Sequence, residues 1–320
     1  EVIDTGAKLD LISFSVGANN VKAIVPILAK IVEKKFSLNQ SGFLNIIIGE
    51  NLKNASNLLK QWIIQYLPED YNNILKERVG LVETVLSRMV PVVSDELKKQ
   101  NPLIVLVEPY KTMPVAKNMF KGRIPDVKGF LMLDNIEPCQ AMKLYIHNFT
   151  HAAFAYAGYK KNYKYIWEVV EDKKIGHLVQ KAYLEISQAL HKKYGIKKEE
   201  IDIYHEDLLR RFSNRGLGDT IIRIARDPIR KLGREERIIG TARLCQRQGI
   251  IPEYVCFFAA CCLYYDEPSD AESQKLKMFL LTNGIEKTLE NISGLDQDDP
   301  IFIRIKTCYI NFWKKWKKMV

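Results

Sequence analysis

The sequence predicts a doubly wound, parallel α/β sheet domain followed by an all-helical domain. Three observations lead to this fold class. Short apolar runs alternate with helix-like patterns near the start, strand-like patterns stop near residue 134, and the chain is 320 residues long. That length suits about two domains of 100–200 residues each. We therefore expect a sheet domain at residues 1–133 and a helical domain at residues 134–320.

Two apolar runs near the start predict strands of a covered sheet. Leu9–Val16 is followed by the helical pattern Asn20–Lys34, and Leu44–Gly49 is followed by the helical pattern Leu52–Tyr66. Neither run alternates apolar and polar residues, which is typical of parallel strands buried on both faces. Two strand–helix units in succession favour a doubly wound sheet.

The middle of the chain departs from this rhythm, and helices follow it. Two more strands are predicted at Val79–Val90 and Leu103–Val107, and irregular chain is predicted at Gly122–Leu131. Beyond Asp134, glycine and proline turn signals separate many of the amphipathic patterns. The predicted helices are Asn135–Tyr156, Tyr163–Tyr194, Lys198–Arg211, Gly218–Ile224, Arg234–Arg247, Pro252–Tyr264, Ala271–Leu281 and Ile301–Lys318.

Composition limits the class of protein and its partners. Hydrophobic residues make up 47% and charged residues 27% of the chain, as in soluble globular proteins. No apolar run reaches the roughly 18 residues of a membrane span, so no membrane partner is predicted. Six cysteines without a CxxC pair indicate reduced thiols and a cytoplasmic location. The net charge of +10 suits an anionic partner: nucleic acid, a phosphorylated metabolite or a dinucleotide.

The stretch Met142–Gly158 combines functional polar residues with apolar neighbours. On a straight helix, Asn148 lies about 140° and His151 about 80° from Lys143, so the three share one broad face. A lysine serves as general base if burial lowers its pKa from about 10.4 toward 7–8. An amide donates to a developing alkoxide, and an imidazole orients a hydroxyl. The combination suits alcohol oxidation or carbonyl reduction.

Two other interpretations of this stretch stay open from the residues alone. His147 and His151 have the i,i+4 spacing of a zinc site, but Asn148 stands where the zinc-protease pattern requires glutamate. The three remaining histidines are distant in sequence, so we predict no metal site. The same residues also suit a structural buried polar network, and we interpret His147 as packing.

The motif Lys143-x4-Asn148-x2-His151 resembles the catalytic motif of the polyol-specific long-chain dehydrogenases, the mannitol dehydrogenase family. In that family a Rossmann-like nucleotide-binding domain precedes a helical substrate domain, with the active site in the cleft between them. The resemblance continues, in the order and spacing of the family, through Leu11–Gly17, Asn45–Leu52, Phe120–Gly122, Ile124-Pro125, Asp134-Asn135, Ala225–Leu232 and Ile292–Leu295.

The resemblance implies roles for four residues. Lys143 would be the general base, Asn51 and Asn148 would donate to the carbinol oxygen, and His151 would be an orienting partner. The implied reaction is hydride transfer between NAD, with NADP left open, and a polyol carbon, without a metal. The expected substrate pair is mannitol 1-phosphate and fructose 6-phosphate. A free polyol or a sugar acid is the alternative within the same class.

The resemblance also suggests where cofactor and substrate bind. Val16, Gly17 and Glu50 lie in segments similar to the nicotinamide side of the cofactor site. Arg88 is expected to contact substrate, although this chain has Ser87 before it where the family usually has aspartate.

Three cations around Asp227-Pro228 form a candidate phosphate site. Arg226, Arg230 and Lys231 could clamp a substrate phosphate, because arginine offers bidentate geometry. The alternative is a solvated loop whose cations cap helix ends and pair with Glu235 and Glu236.

The printed sequence lacks the G-x-G-x-x-G fingerprint of dinucleotide binding. Because the family opens with that fingerprint, we expect roughly 60 residues of the nucleotide-binding domain to precede Glu1, and we expect no normal NAD binding without them. A protein of another class, which binds anions or nucleic acid on the same fold without catalysis, is the alternative. Nucleic acid is not a partner in the preferred interpretation, in which the protein is a monomer or a dimer.

Overall fold

The computed structural model describes residues 1–38, 42–50, 52, 54–91 and 93–319. The chain divides into two compact units. The first comprises Glu1–Arg88 and Pro109–Gln140, and the second comprises Met89–Glu108 and Ala141–Val320. The second unit therefore takes a short segment from the middle of the chain in addition to the long C-terminal part.

A three-stranded parallel sheet organises the first unit. Its order is β1-β2-β3, with Leu11 opposite Asn45 and Leu44 opposite Val79. Parallel neighbours need crossover connections, and helices provide them here. The predicted parallel α/β architecture is therefore confirmed. The strands are β1 (Leu11–Phe14), β2 (Leu44–Ile48) and β3 (Val79–Glu83).

The central strand β2 is buried along its whole length. Ile46 and Ile48 belong to a core formed with the helices of this unit, whereas Ile47 packs in a second core with Val82 and Val115. Burial on both faces explains why the sequence of β2 shows no alternation. The helices of this unit are α1 (Val2–Gly6), α2 (Val21–Leu38), α3 (Ala55–Ile64) and α4 (Tyr71–Arg78).

Two further strands, which the sequence did not indicate, form a second parallel sheet. They are β4 (Met113–Ala116) and β5 (Phe130–Leu133), and an isolated bridge pairs Thr84 with Val115. Pro114 within β4 and Gly129 just before β5 obscure the strand pattern, because both residue types usually mark irregular chain. The stretch predicted as irregular, Gly122–Leu131, therefore ends inside a strand.

The segment Met89–Glu108 corrects two strand predictions. The strand expected at Val79–Val90 ends at Glu83, and the strand expected at Leu103–Val107 does not form. No neighbouring strand in the described residues supplies that segment with a ladder of hydrogen bonds, and Leu103 is 86% exposed. The segment contains one short helix, α5 (Asp95–Gln100).

The second unit is helical apart from one isolated bridge, Tyr165 to Thr220, and irregular connections. Its core centres on the helices Phe149–Lys160 and Glu253–Leu263, whose residues are almost all buried, and five of the six cysteines of the chain are buried. The helices from the end of the first unit onward are α6 (Glu137–Met142), α7 (Phe149–Lys160), α8 (Ile166–Glu171), α9 (Lys173–Tyr194), α10 (Lys198–Phe212), α11 (Ile221–Ala225), α12 (Pro228–Lys231), α13 (Ile239–Arg247), α14 (Glu253–Leu263), α15 (Ala271–Ser293), α16 (Pro300–Ile310) and α17 (Phe312–Met319).

Two long predicted helices are interrupted. The stretch Tyr163–Tyr194 breaks at Asp172, whose carboxylate accepts hydrogen bonds from the amides of Lys174 and Ile175 and thereby caps α9. The stretch Ile301–Lys318 breaks at Asn311, between α16 and α17. Of the helices in the described parts of the chain, none has the length and apolar character required to cross a lipid bilayer.

Candidate active site

The residues Lys143–Asn148 form a π-helix between α6 and α7. In a straight α-helix, five residues of separation turn two side chains about 140° apart. A π turn instead closes i→i+5 hydrogen bonds, so it brings Lys143 and Asn148 one turn apart on the same side. The phases expected for a straight helix over Asn135–Tyr156 therefore do not hold in this segment, and the π turn brings the lysine and the amide closer together. Both residues are partly exposed.

The imidazole of His151 lies on α7, in the first turn after the π-helix. One face of the ring stacks on Phe212, with 4.5 Å between centroids and 19° between planes. Its Nε2 lies 3.4 Å from Oδ2 of Asp219. Burial lowers the pKa of His151 well below the ordinary value, and the positive charges of Lys143 and Arg223 lower this pKa further. His151 is therefore neutral near pH 7.

His147 occupies the neighbouring position and is buried, as expected of a packing residue. Its ring meets Phe212 edge-on at 5.6 Å and His151 at 6.2 Å between centroids. Burial is the main cause of its low pKa, followed by the charge of Lys143.

Asp219 and Arg223 are site residues that sequence reasoning missed. The Asp219 carboxylate is nearly inaccessible, and it accepts a hydrogen bond from the Arg223 guanidinium through Oδ1. Their i,i+4 spacing is a readable signal of an ion pair. The approach of Asp219 to His151 is not readable, because it joins two segments that are 68 positions apart.

Positive charge converges on His151. Besides Lys143 and Arg223, the charges of Lys231 and Arg237 also lower the pKa of His151. The buried Nε atoms of Arg223 and Arg237 have no hydrogen-bond partner, although Oε2 of Glu236 lies 3.5 Å from the Arg237 Nε. Arginine is a permanent donor, so these two atoms suit the oxygens of a bound anion or hydroxyl compound.

The three residues of the predicted phosphate clamp lie in different environments. Lys231 is buried, and its Nζ donates to the backbone carbonyls of Ile224 and Arg226. Burial lowers the pKa of Lys231 to about 7. Arg230 pairs with Asp227 at 2.5 Å. The exposed Arg226 guanidinium has no hydrogen bond or ion pair to any residue that the structure describes.

In the first unit, Glu50 holds the turn that follows β1. Its carboxylate accepts hydrogen bonds from the amides of Val16 at 2.5 Å and Gly17 at 2.8 Å. Gly17 has φ +86, a conformation that favours glycine. The turn and Glu50 follow β1 and β2, at the carboxyl ends of parallel strands, which is where open α/β sheets bind ligands.

Two other predicted residues belong to the first part of the chain. Asn51 lies outside the described residues. Arg88 is exposed, and its Nε donates to the backbone carbonyl of Tyr110. The preceding residue, Ser87, is buried. In the parts of the chain that the structure describes, no group of three or more His, Cys, Asp or Glu side chains is arranged to hold a metal ion.

Comparisons with known proteins cover nearly the whole chain. Residues 1–129 match the family model of the mannitol dehydrogenase Rossmann domain, and residues 135–309 match that of the mannitol dehydrogenase C-terminal domain. The mannitol-1-phosphate 5-dehydrogenase of Caldanaerobacter subterraneus is 32% identical over 309 residues, which are 97% of this chain and 79% of that protein. The enzyme of the same name from Thermoanaerobacter pseudethanolicus is 33% identical over 310 residues, which are again 97% of this chain and 79% of that protein.

Solved structures give the same fold. A ternary complex of Pseudomonas fluorescens mannitol 2-dehydrogenase with NAD and D-mannitol aligns with a TM-score of 0.78 at 16% identity, over 98% of this chain and 74% of that one. Substrate-free D-sorbitol dehydrogenase aligns with a TM-score of 0.77 at 14% identity, over 98% of this chain and 75% of that one.

A Rossmann-like unit followed by a helical unit that carries Lys143, Asn148 and His151 is the architecture of a dehydrogenase. The chain belongs to the mannitol dehydrogenase family, and it is an oxidoreductase. The expected family and fold class are confirmed.

Proposed function

We propose that the protein interconverts mannitol 1-phosphate and fructose 6-phosphate with NAD as the hydride carrier. The observation that carries this proposal is the π turn that brings Lys143 and Asn148 to one side next to His151, where the positive charges of Lys143, Arg223, Lys231 and Arg237 lower the pKa of the imidazole. A substrate rich in oxygen acceptors would pair with the buried Nε atoms of Arg223 and Arg237. The names of relatives at 32–33% identity support the phosphorylated substrate.

The proposed mechanism assigns one task to each side chain. Lys143, in its neutral form, takes the proton of the carbinol hydroxyl during oxidation and returns it during reduction. Asn51 and Asn148 donate hydrogen bonds to the carbinol oxygen as negative charge develops there. His151 orients a substrate hydroxyl and stays neutral, since its pKa is well below the ordinary value. The π turn aids the cooperation of Lys143 and Asn148 by bringing them to one side.

The residues of the first unit fit a dinucleotide in part. The turn at Val16 and Gly17 and the neighbouring Glu50 lie at the carboxyl ends of β1 and β2, which is the binding edge of this class of sheet. The Glu50 carboxylate already occupies the two turn amides, so we assign it the role of shaping the turn rather than of binding phosphate. NAD, when bound, would accept or supply the hydride.

Arg226 is the candidate that best suits the substrate phosphate. Its guanidinium is exposed and unpaired among the described residues, whereas Arg230 and Lys231 already have partners. We propose that Arg226 binds the phosphate and that Lys231 holds the segment Ile224–Arg226 through two carbonyl contacts. Arg88 remains a proposed contact to the substrate hydroxyls.

The experiment compares three carbonyl substrates with NADH: fructose 6-phosphate, fructose and a keto-uronate. The gene product should oxidise NADH with fructose 6-phosphate at the highest kcat/KM. Preference for fructose or the keto-uronate would reassign the substrate to a free polyol or a sugar acid. Repeating the best reaction with NADPH decides between the two cofactors.

A nucleic-acid-binding protein is the alternative of a different class, and the net charge of +10 permits it. Salt-sensitive binding of duplex DNA without any NADH-dependent turnover would support that alternative. We also propose that the protein acts in the cytoplasm, which the absence of a disulfide among its six cysteines supports.

A further inference from the structure

We propose that Asp219 is a positioning residue that fixes the tautomer and the orientation of His151. The observation is the approach of the Asp219 Oδ2 to the His151 Nε2, at 3.4 Å. The Nε2 atom is buried and has no hydrogen-bond partner, and the Asp219 side chain is only 6% exposed. The inference rests on the proposed function, because it assigns a helper to a residue of that site.

The backbone holds Asp219 on both sides. The preceding Gly218 has φ +58, which ends a short 3-10 turn and directs the chain toward α7. The Asp219 carbonyl accepts a hydrogen bond from the Ile166 amide at 3.0 Å, within the bridge that pairs Thr220 with Tyr165. Thr220 caps α11 directly afterwards. The carboxylate is therefore presented from a fixed backbone rather than from a mobile loop.

The two carboxylate oxygens have different partners. Oδ1 accepts from the guanidinium of Arg223, while Oδ2 faces His151. The distance of 3.4 Å exceeds the 2.7–3.2 Å of a normal N–H···O bond. Such hydrogen bonds are often long without a ligand and shorten when substrate is bound. Only a small movement of the ring is needed to complete this one.

The environment of the ring determines which tautomer is useful. Stacking on Phe212 keeps the imidazole from turning out of the plane in which Nε2 faces Asp219. Because the ring is neutral, it carries one proton, and a carboxylate at Nε2 places the proton there. The lone pair is then on Nδ1, where it accepts a hydrogen bond from a substrate hydroxyl. The opposite tautomer would present a donor instead.

Charge supports the same arrangement. Lys143, Arg223, Lys231 and Arg237 all act on His151 with positive charge, and each of them disfavours a proton on the ring. The carboxylate of Asp219 faces the ring. It thus holds the remaining proton of a neutral imidazole in place while the surrounding cations prevent protonation of the second nitrogen.

The first test is a nitrogen-15 NMR measurement of the His151 tautomer in the full chain. His151 is one of five histidines, so its signals are identified by their loss in His151→Gln. Wild-type protein should show the Nε2–H tautomer. In Asp219→Asn, Arg223 can only donate and so selects the amide oxygen, which turns the amide NH₂ toward Nε2 and favours the Nδ1–H tautomer. Asp219→Glu, which keeps the carboxylate, should retain Nε2–H.

Asp172→Asn provides the matched control. Asp172 is as buried as Asp219, at 7% against 6% side-chain exposure, and it pairs with Lys161 at 2.6 Å. It does not contact His151, so its variant should leave the tautomer unchanged. An Nδ1–H tautomer in the wild type, or an unchanged tautomer in a folded Asp219→Asn variant, overturns the proposal. These results do not depend on turnover, so they stand apart from failure of the proposed reaction.

The second test is kinetic. Asp219→Asn should lower kcat/KM by about 10- to 100-fold, the usual range for a residue that orients another. In a His151→Gln background, the same substitution should cause no further loss, because Asp219 acts through the imidazole. Independent losses that multiply in the double variant would show that Asp219 has only a structural role, and would overturn the proposal.

Discussion

Two histidines of the helical unit, His151 and His205, share several properties but differ in what their rings can do chemically. Each ring stacks on an aromatic neighbour: His151 on Phe212 at 4.5 Å, and His205 on Tyr183 at 3.8 Å. Burial lowers both pKa values, that of His205 to about 4. Neither burial nor stacking therefore distinguishes a site residue from a core residue.

The difference lies in the charges and in the surroundings. His151 is 14% exposed, faces Asp219 at 3.4 Å, and lies within the influence of four cations. His205 is 3% exposed, both of its nitrogens lack hydrogen-bond partners, and Asp202 is the charge that opposes the fall of its pKa. The site imidazole is thus distinguished by its partial exposure and by the carboxylate of Asp219 that faces it, whereas the ring of His205 is buried and its nitrogens lack hydrogen-bond partners.

The largest expected effect is that of removing the base beside His151. Lys143→Ala should lower kcat by about 10³-fold or more, since positioned acid–base groups contribute roughly 10²–10⁴-fold. The matched control is Lys160→Met, because Lys160 also lies in this part of the chain and is partly buried. Its Nζ lies over the rings of Tyr264 and Trp313, so we expect lost stability and unchanged kcat. Full activity of Lys143→Ala would remove Lys143 from the mechanism.

The second prediction concerns His205 and acid. The pKa of His205 is about 4 in the folded protein and about 6.5 when unfolded, so the unfolded chain binds a proton first as the pH falls. Its contribution to stability is complete above pH 6.5 and is lost toward pH 4, by roughly 3 kcal/mol. His205→Phe keeps the stacking and removes the titration. The unfolding free energy of both proteins is measured in urea from pH 7 to pH 4. The decrease over this pH range should be smaller in His205→Phe than in wild type by roughly 3 kcal/mol. An equal decrease in the two proteins would refute the claim.

The third prediction compares the same substitution, histidine to asparagine, at His151 and at His205. His151→Asn should lower kcat/KM by about 10- to 100-fold with a small change in stability, because the ring orients substrate at a partly exposed position. His205→Asn should instead lower the unfolding free energy and leave kcat/KM unchanged. Steady-state kinetics and urea unfolding of both variants make the comparison. Similar losses of activity at the two positions would show that the division into site and core is wrong.

The smallest expected effect separates phosphate recognition from chemistry. Arg226→Met should raise KM for fructose 6-phosphate by about 10-fold, the value of one lost charge-assisted hydrogen bond. It should not alter KM for fructose, and kcat should change little. Arg215→Met serves as control, since Arg215 is exposed but stacks on Trp167 and pairs with Glu171. Equal effects of Arg226→Met on both sugars would place the phosphate elsewhere.

The sheet unit was predictable where burial was uniform. The apolar run Leu44–Gly49 matches β2 within one residue, because a strand buried on both faces needs apolar side chains throughout. Leu103–Val107 has a similar composition but remains exposed and irregular, since a strand forms only where a partner strand supplies hydrogen bonds. The composition of a segment shows that it is apolar, but it does not show whether a partner strand lies beside it in the fold.

The candidate site was predictable in its residues and not in its geometry. The spacing of Lys143, Asn148 and His151 marks the motif, but the π-helix that realigns it has no signature in local propensity. Asp219 and Arg237 were missed because their contact with this region depends on packing between α7, α11 and the chain before α13. Arg230 and Lys231 were grouped with Arg226 by sequence proximity, although each has different partners in the folded chain.

The most direct test of the proposed function is identification of the product formed from fructose 6-phosphate and NADH. The proposed function predicts that wild-type protein forms mannitol 1-phosphate in equal amount to the NADH consumed, as measured by mass spectrometry and absorbance, and that Lys143→Ala forms none. Reduction of fructose or a keto-uronate in preference to fructose 6-phosphate, or undiminished product from Lys143→Ala, would contradict it.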